Sequence, residues 1–122
     1  MTLKKFLAGA AVLALVSGAA AQDAPLSYQA APTVYTLLAE DTNFRVILAT
    51  WKPGQKDVQH SHSASAVYRL TDCSSRIFGA DGKAQGEGSA KAGSVVLQDK
   101  IGSHSLENIG TAECKVLLVE RK

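Results

Sequence analysis

The sequence predicts an all-β fold, a sandwich or barrel of short strands. Three observations carry the prediction. Beyond residue 32 the chain is a succession of short β-branched and aromatic runs. Turn signals, Pro53-Gly54 and Asp81-Gly82 among them, separate these runs. No segment after residue 21 holds a 3.6-residue apolar period over a window of about 11 residues, so amphipathic helices are not expected. The chain of 122 residues allows one domain, and 46% hydrophobic with 20% charged residues is ordinary globular composition.

The elements follow in order. Residues 1–21 read as a cleavable signal peptide, with Lys4 and Lys5 as its positive end. Phe6 to Val16 is the apolar stretch, and Ala19-Ala20-Ala21 supplies the small residues for cleavage before Gln22. The apolar stretch is shorter than the roughly 20 residues a spanning helix needs. This compact leader predicts a bacterial exported protein, periplasmic or secreted. Residues 22–32, with two prolines, read as an extended lead-in, and 33–122 as the folded domain. Strands are expected over Thr33–Leu38 and Phe44–Trp51, the latter with Phe44, Val46 and Leu48 at every second position. Val58–His62, Ala66–Thr71 and Arg76–Phe78 follow, and Asp81-Gly82 reads as a hairpin turn of type I′. Val95–Gln98, His104–Ile109 and Lys115–Glu120 complete the set. Phe44, Trp51 and Phe78 read as core or rim packing.

Charge excludes some function classes. Without Lys4 and Lys5 the chain carries 11 basic against 11 acidic side chains. Nucleic-acid binding then has no electrostatic support, and no basic cluster remains to hold an anionic membrane surface. After signal cleavage no membrane association is expected. Phosphate cradles, Ser-His-Asp triads and close carboxylate pairs do not stand out. Cys73 and Cys114 would meet an oxidising compartment after export, where a pair tends to close. Two separate buried thiols are the other reading of the same residues.

The three histidines are the most informative residues. His60 and His62 are one residue apart, so on a strand both imidazoles project to one face. Neutral imidazole suits Zn, Fe, Ni, Cu or Mn. His104 lies on another expected strand and can close the set across a barrel. An isolated His-x-His is more often two polar residues on a wet strand face.

The surroundings of the histidines resemble the two cupin motifs. The first motif runs Gly, five residues, His-x-His, three or four residues, Glu, six residues, Gly. Gly54, His60 and His62 match it, while Ala66 stands at the Glu position and Cys73 at the final Gly. The second runs Gly, five residues, Pro, one residue, Gly, two residues, His, three residues, Asn. Gly93, His104 and Asn108 match, with Asp99 and Ile101 in place of Pro and Gly. The resemblance covers residues 33–122 and is to small, exported, single-domain cupins. Some of these are labelled β-alanine degradation proteins, a label not carried over.

The resemblance implies a cupin-type jelly-roll β-barrel of two antiparallel sheets around a pocket. It implies a divalent metal ion (Fe, Mn, Zn or Ni) on His60, His62 and His104, without the family's Glu, since neither Ala66 nor Val67 can ligate. With both histidines inward, Val58 would point inward, and Ala66, Tyr68 and Leu70 would share the inward face of the next strand. Tyr68 is then the polar candidate near the metal, or else a barrel-filling aromatic. Asn108 is a pocket candidate, with strand-end duty as its commoner use. Arg69 and Asp72 are expected outward, without chemistry. The topology also implies a Cys73–Cys114 bridge between neighbouring strands of one sheet. The function implied is a metal-dependent dioxygenase or isomerase of a small molecule, or a non-catalytic module binding a metal or small ligand. Cupins often pair through edge strands, which makes a homodimer an expectation from the family alone.

Overall fold

The computed structural model describes residues 9–11 and 22–122. The signal-peptide expectation therefore falls almost wholly outside the described residues. Among the described residues nine strands form: β1 (Tyr35–Glu40), β2 (Phe44–Trp51), β3 (His60–His62), β4 (Ser65–Arg69), β5 (Cys73–Phe78), β6 (Ala84–Ala90), β7 (Val95–Gln98), β8 (Ile101–Asn108) and β9 (Cys114–Arg121). They make two antiparallel sheets, ordered β1-β2-β9-β4-β7 and β3-β8-β5-β6. The chain crosses between the sheets at short loops, and the two sheets face each other around one core.

Alternation explains how the core is assembled. On β2, Ile47, Ala49 and Trp51 are buried, and on β9 Cys114, Val116, Leu118 and Glu120 are. Their partners in register, such as Trp51 opposite Cys114 and Ile47 opposite Leu118, place both rows on one face. Val67 from β4 and Tyr35 from β1 complete the layer. The expected alternation of β2 is thus present, but Phe44, Val46 and Leu48 lie on the outer face, and Phe44 is exposed. Either parity of this strand is apolar, so sequence alone did not choose between them.

Local chemistry accounts for three further departures. Residues 22–32 are not extended throughout: Ser27–Ala30 forms one helical turn, α1, and Ala31 joins the core. The Ser61 N–H donates to the Pro25 carbonyl, so this segment lies against β3. The hairpin at Asp81-Gly82 exists, but among the described residues only glycines have positive φ, with Gly82 at 77°. A type I′ turn needs positive φ at both central residues, so Asp81 rules it out. The loop instead closes through Gly82 N–H to the Gly79 carbonyl and Gly79 N–H to the Lys83 carbonyl. Strand β6 was not expected. Its sequence AQGEGSA has no apolar face, because it is an edge strand held by the β5 ladder and wet on both sides.

Cys73 and Cys114 form the disulfide, with Cα atoms 5.0 Å apart. Its placement differs from expectation. Cys73 opens β5 rather than ending β4, so it lies in the four-stranded sheet. Cys114 opens β9 in the five-stranded sheet, and the bond ties the two sheets together. The turn Leu70–Asp72 carries the chain from one sheet to the other between β4 and β5. A disulfide of this kind persists in a non-reducing compartment. Among the described residues no helix is long and apolar enough to cross a membrane.

Candidate metal centre

Strand β3 delivers His60 and His62, both buried, and its neighbour β8 delivers His104. His60 stands directly opposite His104 in the ladder. The third histidine thus comes from the adjacent strand of the same sheet, not from across the barrel. A register shift between His60 and His62 lets both imidazoles reach the same point. One ligand nitrogen from each ring lies within 4.8 Å of the others. Bonds of about 2.1 Å to a shared ion need nitrogens about 3.0–3.4 Å apart, so small ring movements complete the site.

The hydrogen bonds decide which nitrogens are free. His60 Nδ1 donates to the Val58 carbonyl at 2.7 Å, and a carbonyl can only accept. His62 Nδ1 donates to Glu120 Oε1 at 2.6 Å. Each ring therefore turns its Nε2 lone pair toward the cluster. His104 Nε2 is buried without any hydrogen-bond partner. Burial, with His60 and His62 beside it, pushes the His104 imidazole down to about 3, and burial also lowers His60. Burial thus favours neutral His60 and His104, the form that binds metal.

A shell of buried carboxylates, unforeseen from sequence, holds the rings. Glu120 from β9 is fully buried and also receives Arg45 Nη1 at 3.3 Å, while Arg45 Nε bonds Glu40. Asp57 accepts the Trp51 indole N–H, the Leu106 backbone N–H and the Tyr35 hydroxyl, at 3.0, 2.8 and 2.9 Å. Tyr35 Oη is also 3.0 Å from His60 Nε2, so its one proton faces two acceptors. A cation at Nε2 would satisfy the acceptor left short. Burial, then Asp57, raises the Tyr35 phenol well above its ordinary value. Glu120 was legible in principle: it breaks an inward row of Cys114, Val116 and Leu118 with a charge. It pairs in the ladder with Ser65, one residue before the vacant Glu position at Ala66.

A cavity of about 640 Å³ opens from the histidines into the barrel. Val67 and Arg69 line it, while Tyr68 is 43% exposed and faces out. Val58 is 56% exposed. The corrections on β4 share one cause. The chain passes from one sheet to the facing one between His62 and Ser65, which reverses the direction that counts as inward. Parity carried over from His62 therefore gives the wrong face on β4. Arg69, expected outward, is part of the wall; Asp72 is exposed and accepts from the Ala92 N–H. Asn108 is buried but serves the strand end. Its Nδ2 donates to the carbonyls of Trp51 and Ala112, and its Oδ1 accepts from Gly110 N–H.

Comparison with known proteins places the architecture. No protein-family model and no curated protein matches the sequence. Solved structures do resemble it. A cupin domain from Bordetella pertussis superposes with a TM-score of 0.65 at 17% identity, over 86% of this chain and 99% of its own. A Klebsiella pneumoniae protein with a double-stranded β-helix domain gives 0.56 at 17% identity, over 72% and 75%. A polyketide cyclase from Streptomyces resistomycificus gives 0.52 at 16% identity, over 71% and 63%. With its two antiparallel sheets and its three clustered histidines, the chain has the cupin fold.

Proposed function

We propose that this protein holds one divalent transition-metal ion on Nε2 of His60, His62 and His104 and presents it to a small molecule in the barrel. The carrying observation is the convergence of three imidazoles, with Nδ1 of His60 and His62 engaged elsewhere and His104 Nε2 buried and unpartnered. Fe, Mn, Zn or Ni suits an all-imidazole set. Such an ion supplies Lewis acidity and exchangeable positions for a ligand. The chain's residues do the rest. Glu120 and the Val58 carbonyl fix ring orientation, and Tyr35, held by Asp57, sets a hydroxyl beside His60. Export to the periplasm or beyond agrees with the disulfide and with the reading of residues 1–21.

Two uses of the ion are open to this geometry. Catalysis, as dioxygenase or isomerase, is supported by the cavity's size and by a fold that also serves a polyketide cyclase. Binding without turnover is supported by the cavity wall, which among the described residues carries neither Asp nor Glu to act as acid or base. Metal analysis of the exported protein tests the site. About one ion per chain is expected, and His104→Ala should lose it; an unmutated protein without affinity, or a variant that keeps its ion, overturns the proposal. Oxygen uptake with small acids and phenols then separates a dioxygenase from a binder, and product analysis without oxygen separates an isomerase from a binder.

A further inference from the structure

Among the described residues the cavity wall carries one permanently charged side chain, and nothing in the site described so far uses it. Arg69 stands at the end of β4, opposite Val116 of β9. It faces the same cavity as His62 and His104. Among the described residues its side chain makes no ion pair and no hydrogen bond; its recorded bonds are those of its backbone with Gly93 and Ser94. The neighbouring acids are engaged elsewhere. Glu87, across an adjoining groove, is held by Arg76 at 2.6 Å, and Asp72 pairs with Lys91 at 3.5 Å. A partly desolvated guanidinium without a partner is costly unless an anion completes it.

The register gives the spacing. Glu120, which holds His62, pairs with Ser65, and Val116 pairs with Arg69. Four residue steps along β4 separate the two levels, about 13 Å at the usual strand rise. Between them lie the apolar Val67 and Leu118, and Trp51 lines the same cavity beyond the Arg69 level. Gln98 and Ser75 add neutral hydrogen-bonding groups.

We propose that Arg69 is the anchor for the carboxylate of an elongated small organic acid, whose opposite, oxygen-bearing end reaches the three-imidazole centre. The guanidinium takes the carboxylate through two parallel N–H···O bonds, and the apolar wall takes the carbon chain. This assignment of ligand class rests on the metal-centre reading for its second contact. The Arg69 contact stands apart from it.

Trp51, the only tryptophan in the chain, lines the cavity and reports occupancy by fluorescence. The probes are straight-chain ω-hydroxy acids of increasing length and their primary amides, titrated into the exported protein with and without zinc. The acids should bind roughly 10-fold or more tighter than the amides, as a charge-assisted pair implies. Arg69→Gln should erase that preference with zinc binding intact, and Arg69→Lys should keep part of it. Equal binding of acid and amide, a preference that survives Arg69→Gln, or no binding by any acid overturns the proposal. An Arg69-dependent preference that is the same with or without zinc, in a protein that fails to bind zinc, supports the anchor while removing the metal centre.

Discussion

Glu120 is the residue on which the geometry of His62 depends. It has no solvent exposure, and its two oxygens are divided between the His62 ring and Arg45. A carboxamide here would offer one acceptor oxygen to two donors, His62 Nδ1–H and Arg45 Nη1–H, so the ring can lose its anchor. Glu120→Gln should therefore weaken metal affinity by roughly 10- to 100-fold with the fold retained, read by competition with a chelator of known affinity. Protonation offers a second test at this scale. His104 is held neutral down to about 3, against an unfolded value near 6.5. Below that unfolded value the unfolded chain binds more protons than the folded one, so acid favours unfolding. The metal-free protein should be at full stability above about pH 6.5 and lose it progressively toward pH 3. Denaturation midpoints across this window, flatter in His104→Ala, check the sign. An unchanged slope would place the acid sensitivity elsewhere.

Strands show where pattern reading works. β2 is present with the bounds expected, Phe44–Trp51, because eight residues without a breaker and Pro53-Gly54 after them leave little choice. β6 was missed because a ladder of backbone hydrogen bonds needs no apolar side chain. The β3–β4 connection shows a different limit: each strand was foreseen, yet the face of β4 was not. The disulfide belongs to this scale as well. It links β5 to β9 across the two sheets over a sequence separation of 41. Chain entropy for such a loop sets an upper guide of about 4 kcal/mol. The double variant Cys73→Ala with Cys114→Ala should lose about 2–4 kcal/mol in urea unfolding, and the unreduced protein should show no reactive thiol after denaturation.

At the scale of the whole molecule, the outer face of the five-stranded sheet stands out. Leu97 is 79% exposed and Val95 59%, both on the edge strand β7. Tyr68 pairs with Val95, and Ala66 with Leu97 and Val119, which continues the apolar surface inward along the sheet. An open, apolar edge of this kind is a template for another strand. A homodimer closing on β7 remains a proposal, first taken from the family, and this surface is where it is to be tested. Sedimentation should find a dimer at micromolar concentration, and Leu97→Lys should shift it to monomer with metal content unchanged. A monomer at all concentrations would end this assignment.

The cysteine bridge and the place of the third imidazole followed from the family resemblance; by itself the sequence determined the fold class, the strands with an apolar face and the shared face of His60 and His62. Each of these is written in residue type and short spacing, which alternation and turn chemistry convert directly into local structure. The facing of β4, the buried carboxylates Asp57 and Glu120, and the place of Arg69 in the wall were decided only by tertiary structure. Their neighbours arrive from strands far away in the chain. Which side of a strand is inside depends on the sheet to which it is delivered.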